Sequence, residues 1–279
     1  MSFPQNLHTH TTFDDGANTV YEMTAAALEA GLDSVGFSGH SPFPFENKWT
    51  MQYADDGVGN YFREVMRVKE EFRGKIKVFR GLEFDILSDT ALLSGKLYGK
   101  PDYVIGAAHY ITSGNKHFCV DSSPADTDFY IDTQYHGDAI RAAEEYYASY
   151  DALCAIPEID IVAHFDLPLK YNEIKRRFDE TNPFYREAAA AAADKLIAAG
   201  KIIEINTGAI SRGYRLTPYP SKWLLCHIKN AGGKINIASD SHSVNTVAFG
   251  FEDAAALARE CGFTEAMVFD GDGFIPVKI

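Results

Sequence analysis

The stretch "NLHTHTTFDDGANTVYEMTAAALEAGLDSVGFSGH" (Asn6–His40) contains the repeating unit of the chain. "NLHTH" reads as a short strand ending in two histidines, followed by the polar loop "TTFDDG". Thr19 and Glu22 then stand three apart ahead of an apolar run, which is the spacing of a capping box, and Gly31 suits the helix stop. "DSVGFSGH" is apolar, strand-like and again closes on a histidine, His40. Two strands joined through a helix, both ending in imidazole, imply parallel pairing with a crossover.

Working outward, the same unit recurs. A helical stretch near Asn60 to Phe72 precedes a third strand, "IKVFRGLEFD", and "PDYVIGAAHY" is the fourth. Ile111 to Tyr135 is a long connection that we read as a flap over one end of the fold. The helix "GDAIRAAEEYYASY" leads to a fifth strand, "IDIVAHFDL". The next helix has Asn182 as cap, Pro183 in its first turn and Gly200 at its stop. "KIIEINTG" and "KINIASDSH" are the sixth and seventh strands, "SKWLLCHIKNAGG" and "FEDAAALARECG" the helices after them, and the tail adds one short strand. Continuous apolar strands alternating with helices predict a parallel α/β sheet covered on its faces, with residues 1–279 forming one domain.

Composition narrows the function classes. A net charge of −13 leaves no surplus of Lys and Arg for displacing counterions, which counts against nucleic-acid partners. No run approaches the roughly 20 apolar residues of a membrane span, and "MSFPQNL" lacks the pattern of a secretory leader. Cys119, Cys154, Cys226 and Cys261 are scattered with no CxxC pair. That predicts neither a disulfide framework nor a cysteine zinc site, and fits a cytoplasmic protein.

Six of the nine histidines fall at or just past a predicted strand end: His8, His10, His40, His109, His164 and His242. Glu83 and Asp240 share that location. Parallel α/β folds gather the carboxyl ends of their strands on one side, so these residues converge. Any one of them alone would suit a hydrogen-bonded core group or a helix cap. Burying all eight together is very costly without compensation, and metal ions supply it, since imidazole and carboxylate suit Zn, Mn and Fe. His117, His136 and His227 do not follow the rule and read as structural or surface groups, with His117, on the flap, a candidate for touching substrate.

The ordered set "HTH", Asp15 of "DDG", His40 of "GHS", Glu83, His109, His164 and "SDSH" resembles the polymerase-and-histidinol-phosphatase (PHP) superfamily over nearly the whole chain. "GHSPFP", "HFDLPLK" and "IEINTGAISRGYRLTPYPS" look most like its monofunctional histidinol-phosphate phosphatases. Two departures are Ser241 in "SDSH", commonly "SDAH", and Gly16, where many of these phosphatases place a histidine.

The resemblance implies a distorted (β/α)7 barrel with three divalent ions, Zn, Mn or Fe, at the C-terminal ends of the strands. His8, His10, Glu83 and Asp240 would hold one ion. Glu83 would bridge to a second with His109 and His164, and Asp15, His40 and His242 would hold the third. Glu83, Asp240, His242 and Arg212 would be the catalytic set, with water activated between two ions as the nucleophile on a small phosphomonoester, L-histidinol phosphate. Arg212 and Lys170 would meet the phosphate, whereas Arg215 and Asp14 read as ordinary loop charges. Alternatives are another phosphoester (a nucleotide, an oligonucleotide end or phosphotyrosine) or an amidohydrolase, against which Glu83 and His242 discriminate.

Overall fold

The computed structural model describes residues 3–53, 56–96, 98–113 and 116–279. The chain begins with β1 (Gln5–Asn6), α1 (Val20–Glu29), β2 (Ser34–Phe37), α2 (Gly57–Glu71), β3 (Lys77–Asp85) and β4 (Tyr103–Ala107). A hairpin of β5 (Tyr110–Ser113) and β6 (Lys116–Cys119) follows, then α3 (Pro124–Gln134), α4 (Ala139–Ser149) and α5 (Asp151–Cys154). The rest is β7 (Ile161–Val162), α6 (Pro183–Ala198), β8 (Ile202–Asn206), α7 (Gly208–Ser211), α8 (Lys222–Asn230), β9 (Lys234–Ala238), α9 (Phe251–Glu260), β10 (Glu265–Phe269) and β11 (Phe274–Lys278).

Seven strands pair in parallel in the order β1-β2-β3-β4-β7-β8-β9, matching the seven read from the apolar runs. The first and last meet at a parallel bridge, Thr9 to Ser241, where His10 N donates to Ser241 O at 2.9 Å and Ser241 N to His8 O at 3.1 Å. These bonds bring the sheet to a nearly closed barrel. The capping box of α1 and the Asn182 cap of α6 form as their sequences require. The barrel is distorted after β3, where a single turn, Thr90–Ser94, stands in place of a crossover helix.

Alternation along each strand explains why the site lies at one end. Phe79, Tyr103, Ile105, Ile161 and Ile202 share one apolar cluster with Leu7, at the floor of the barrel. Two residues at a time along the same inward faces come Gly81, Glu83 and Asp85 on β3, His109 past β4, and Glu204 on β8. Gly81 is required by the floor packing: a Cβ there would stand 2.2 Å from the Tyr103 ring.

Three expectations change. The tail forms an antiparallel hairpin, β10–β11, and not one strand; Met267 and Phe269 close the floor, with Phe269 stacked edge-on against Phe79 at 5.0 Å. The connection read as a flap folds as the β5–β6 hairpin and α3, with residues 114 and 115 outside the described set. Cys226 of α8 and Cys261 after α9 form a disulfide, whereas Cys119 and Cys154 are free. The bridge was illegible because its partners lie 35 residues apart, on helices whose packing alone brings them together. No helix among the described residues is long and apolar enough to cross a membrane.

Candidate metal centre

Glu83 sits at the middle of the strand ends. Its Oε2 lies 2.8 Å from His40 Nδ1, 3.3 Å from His8 Nε2 and 3.6 Å from His10 Nε2. Its Oε1 lies 3.1 Å from His164 Nε2 and 3.5 Å from His109 Nε2. Asp240 Oδ1 approaches His10 Nε2 at 3.3 Å and His8 Nε2 at 3.7 Å. Asp15 Oδ1 reaches His242 Nε2 at 3.2 Å and His40 Nε2 at 3.8 Å. All nine residues singled out as metal ligands thus converge, in overlapping groups such as His8–His10–Glu83, His40–Glu83–His109 and His10–Asp15–His40–His242. His164 and Asp240 both take left-handed backbone, at φ 23° and 48°, a strain that clusters at functional sites.

The loop Thr11–Gly16 delivers two aspartates together. Gly16 N and Asp14 N both donate to Thr11 O at 3.0 Å, and a Cβ on Gly16 would stand 2.3 Å from Thr11 N. No side chain fits there without moving the loop, so Asp15 fills the place beside His242 and His40. Ser241, the other departure, is buried and bonds Ser243 O and Thr246 Oγ1, both at 2.7 Å, fixing the turn between Asp240 and His242.

The donor atoms fit divalent ions. His8 Nε2, His10 Nε2, Asp15 Oδ1 and Glu83 Oε2 are buried without a hydrogen-bond partner. Orphaned polar atoms of this kind are expensive, and four of them aimed into one small volume call for cations. The protein's own charges meet part of that need. Burial opposes the charge on Glu83, but His40, His8 and His109 outweigh it and hold the carboxyl well below its usual range. Asp240 is likewise held low despite burial, by Arg212 and His8. Burial works against protonating His10 as well, yet Asp14 lifts it to about 10; Glu83 and Asp85 similarly lift His109 to about 9.

Three carboxylates behind the histidines were not singled out from sequence. Glu204 Oε1 accepts from His8 Nδ1 at 2.7 Å, and Asp14 Oδ2 from His10 Nδ1 at 2.6 Å. Asp85 Oδ2 lies 3.1 Å from His109 Nδ1. Asp14 is therefore no ordinary loop acid. The readable signal was a Glu or Asp inside otherwise apolar strands, "KIIEIN" and "LEFD".

The basic residues part company. Arg212 donates from Nη2 to Asp240 Oδ2 at 3.0 Å and from Nη1 to Asp240 O at 3.1 Å, and Nη1 lies 3.0 Å from His242 Nδ1. Lys170 Nζ pairs with Asp121 Oδ2 at 2.9 Å, between the rings of Tyr171 and Tyr214. Arg215 is not surface charge: it is 5% exposed, bonded to Leu169 O and Thr217 O, and stacked on Tyr219. His117 lies on the hairpin outside the cluster, bonded to Thr112 Oγ1 and stacked on Phe45. His227 pairs with Asp194 on the outer helices.

Comparison with known proteins places the chain among relatives of similar length and fold. The probable histidinol-phosphatase of Deinococcus radiodurans is 29% identical over 266 residues, covering 91% of this chain and 92% of its own. The histidinol-phosphatase of Lactococcus lactis is 27% identical over 276 residues, covering 95% and 94%. Among solved structures, the histidinol phosphate phosphatase of Lactococcus lactis, complexed with zinc, L-histidinol and phosphate, superposes with a TM-score of 0.75 at 23% identity over 98% of both chains, which supports the fold. The PHP domain model matches residues 6–208, a span that holds seven of the nine converging residues. With the barrel, the ordered strand-end residues and this match in agreement, the chain belongs to the PHP domain family.

Proposed function

We propose that this chain is a metal-dependent phosphomonoesterase that hydrolyses L-histidinol phosphate to L-histidinol and phosphate. The observation that carries the reading is the strand-end cage, whose buried imidazole and carboxylate atoms lack partners of their own. Similarity over almost the full length to relatives named histidinol-phosphatase supports the substrate.

In this reading three divalent ions bind. His8, His10, Glu83 and Asp240 would hold one, Glu83 with His109 and His164 a second, and Asp15, His40 and His242 the third. Such ions acidify water into a nucleophile at neutral pH and offset charge on the phosphoryl oxygens. The chain's own residues do the rest. Glu83 spans two positions with its two oxygens, and its depressed pKa keeps both available as acceptors. Arg212 fixes the Asp240 carboxylate by one arm of its fork and offers positive charge to a phosphate dianion. Lys170, kept protonated against burial by Asp121, adds a second cation.

Phosphate release from a panel of monoesters, with Mn or Zn supplied, tests the reading. Histidinol phosphate is expected to lead in kcat/KM by at least about tenfold over nucleotides, oligonucleotide ends and phosphotyrosine, a margin of ~1.4 kcal/mol. A nucleotide or phosphotyrosine in first place would move the chain to another phosphoester.

A further inference from the structure

The histidines of the cage are not supported alike. His8 and His10, both fully buried, each meet a buried carboxylate at Nδ1, Glu204 and Asp14. His109 meets Asp85 in the same way. These carboxylates are themselves fixed: Glu204 accepts from His164 N at 2.9 Å and Asn206 Nδ2 at 2.8 Å. Asp14 accepts from Thr11 N and His40 N, and Asp85 from Leu87 N and His109 N. A fixed carboxylate at Nδ1 sets the tautomer, turns Nε2 toward an ion and raises its donor strength.

Of the inner imidazoles only His164 lacks such a carboxylate, its Nδ1 being buried without a partner, whereas the outer group has no separate carboxylate at all and is more exposed. His40 has no separate carboxylate behind it, since its Nδ1 faces Glu83. His242 Nδ1 faces the Asp240 carbonyl and the Arg212 guanidinium, each at 3.0 Å, with the Asp240 carboxylate, itself an inner ligand, farther off at 3.5 Å. The side chains of His40, Asp15 and His242 are also 16%, 21% and 26% exposed, against 0% for His8, His10 and Glu83.

We infer that the three ions are held unequally: Glu204, Asp14 and Asp85 act as positioning residues that make the two inner ions tight, while the outer ion at Asp15, His40 and His242 exchanges readily. This rests on the three-ion reading above. In that reading Asp15, His40 and His242 ligate neither inner ion, although His10 and, through Glu83 at 2.8 Å, His40 join the two groups, so the outer position can empty while the inner ligands stay in place.

Metal content per chain after equilibrium dialysis against graded chelator separates the possibilities, with Mn and Zn tested singly. Excess metal is expected to give near three ions per chain, falling to a plateau near two with a midpoint at least about tenfold from that of the inner pair. Asp15→Asn should load two ions and keep the plateau. Glu204→Gln should shift the midpoint of one inner ion by about 10- to 100-fold and leave the outer ion's midpoint in place; Glu204→Asp should recover part of the shift. A merely structural role for Glu204 would shift all the midpoints together, and that result overturns its positioning role. Three ions leaving at one chelator concentration, or Asp15→Asn losing two or more, overturns the ranking alone. A ceiling of two ions in excess metal overturns the three-ion reading and the inference with it.

Discussion

Glu83 is the residue on which the centre turns, because five histidines lie within 3.6 Å of its two oxygens. Glu83→Gln keeps the shape and removes the charge, so phosphate release is expected to fall by at least about a hundredfold, ~2.7 kcal/mol, with loss of bound metal measured in parallel. Protonation gives a second expectation. In chelated protein His10 and His109 titrate near 10 and 9, so both are charged at pH 7, whereas ion binding needs them neutral. Metal loading therefore releases protons, and affinity rises with pH up to that range; a metal titration in weak buffer reads the release directly. The stability sign is the reverse. These raised pKa values stabilise the chelated fold fully below about 6.5 and lose that contribution as pH climbs through 9 to 10. Melting of chelated protein is expected to fall across that window.

Eight of the nine candidate ligands were legible because each stands at the edge of a recognisable apolar run, whereas Asp15, in a polar loop, came only from the family resemblance. Glu204 and Asp85 stood out only as acids inside apolar strands and Asp14 not at all, because such an acid marks a position without marking the imidazole it will face. Arg215 misled for the opposite reason, since a glycine-flanked loop reads as exposed and here packs under Tyr219.

At the scale of elements, parallel strands and capped helices followed their sequences closely, because burial on both faces and a polar cap are local signatures. The β5–β6 hairpin did not, its β6 strand being largely exposed and without an apolar face. It is anchored at its base, where Tyr171 Oη donates to Asp121 O and Ser122 O at 3.0 Å and Lys170 holds Asp121. The disulfide ties α8 to the end of α9, on the outside of the barrel. Closing a loop of 35 residues, it should contribute about 3–4 kcal/mol by the chain-entropy relation. Cys226→Ser is accordingly expected to lower the urea midpoint while kcat/KM stays within about twofold, since neither sulfur touches the cage.

For the whole molecule, the barrel unites a dry floor with a charged rim. Phe79, Tyr103 and Phe269 close one end, and the ligand cage occupies the other. Ions that bind only the folded cage stabilise the fold by mass action, about 2.7 kcal/mol per site at a hundred times Kd. Calorimetry is expected to show Tm rising with added Zn or Mn and falling with chelator; a Tm indifferent to both would remove the cage from the fold's energetics.

The Thr9–Ser241 bridge carries a consequence for synthesis. The first two histidines leave the ribosome early, yet Asp240 and His242 follow more than two hundred residues later. Until then the early strands present imidazoles and an acid without their counter-charges, and an unpaired edge where β9 will dock. Pairing at such separation is slow, because loop closure precedes any gain from the contact. Assembly of the centre is thus a late, single event in the life of the nascent chain: a ribosome stalled before residue 240 holds a product that can neither seal its barrel nor complete its cage.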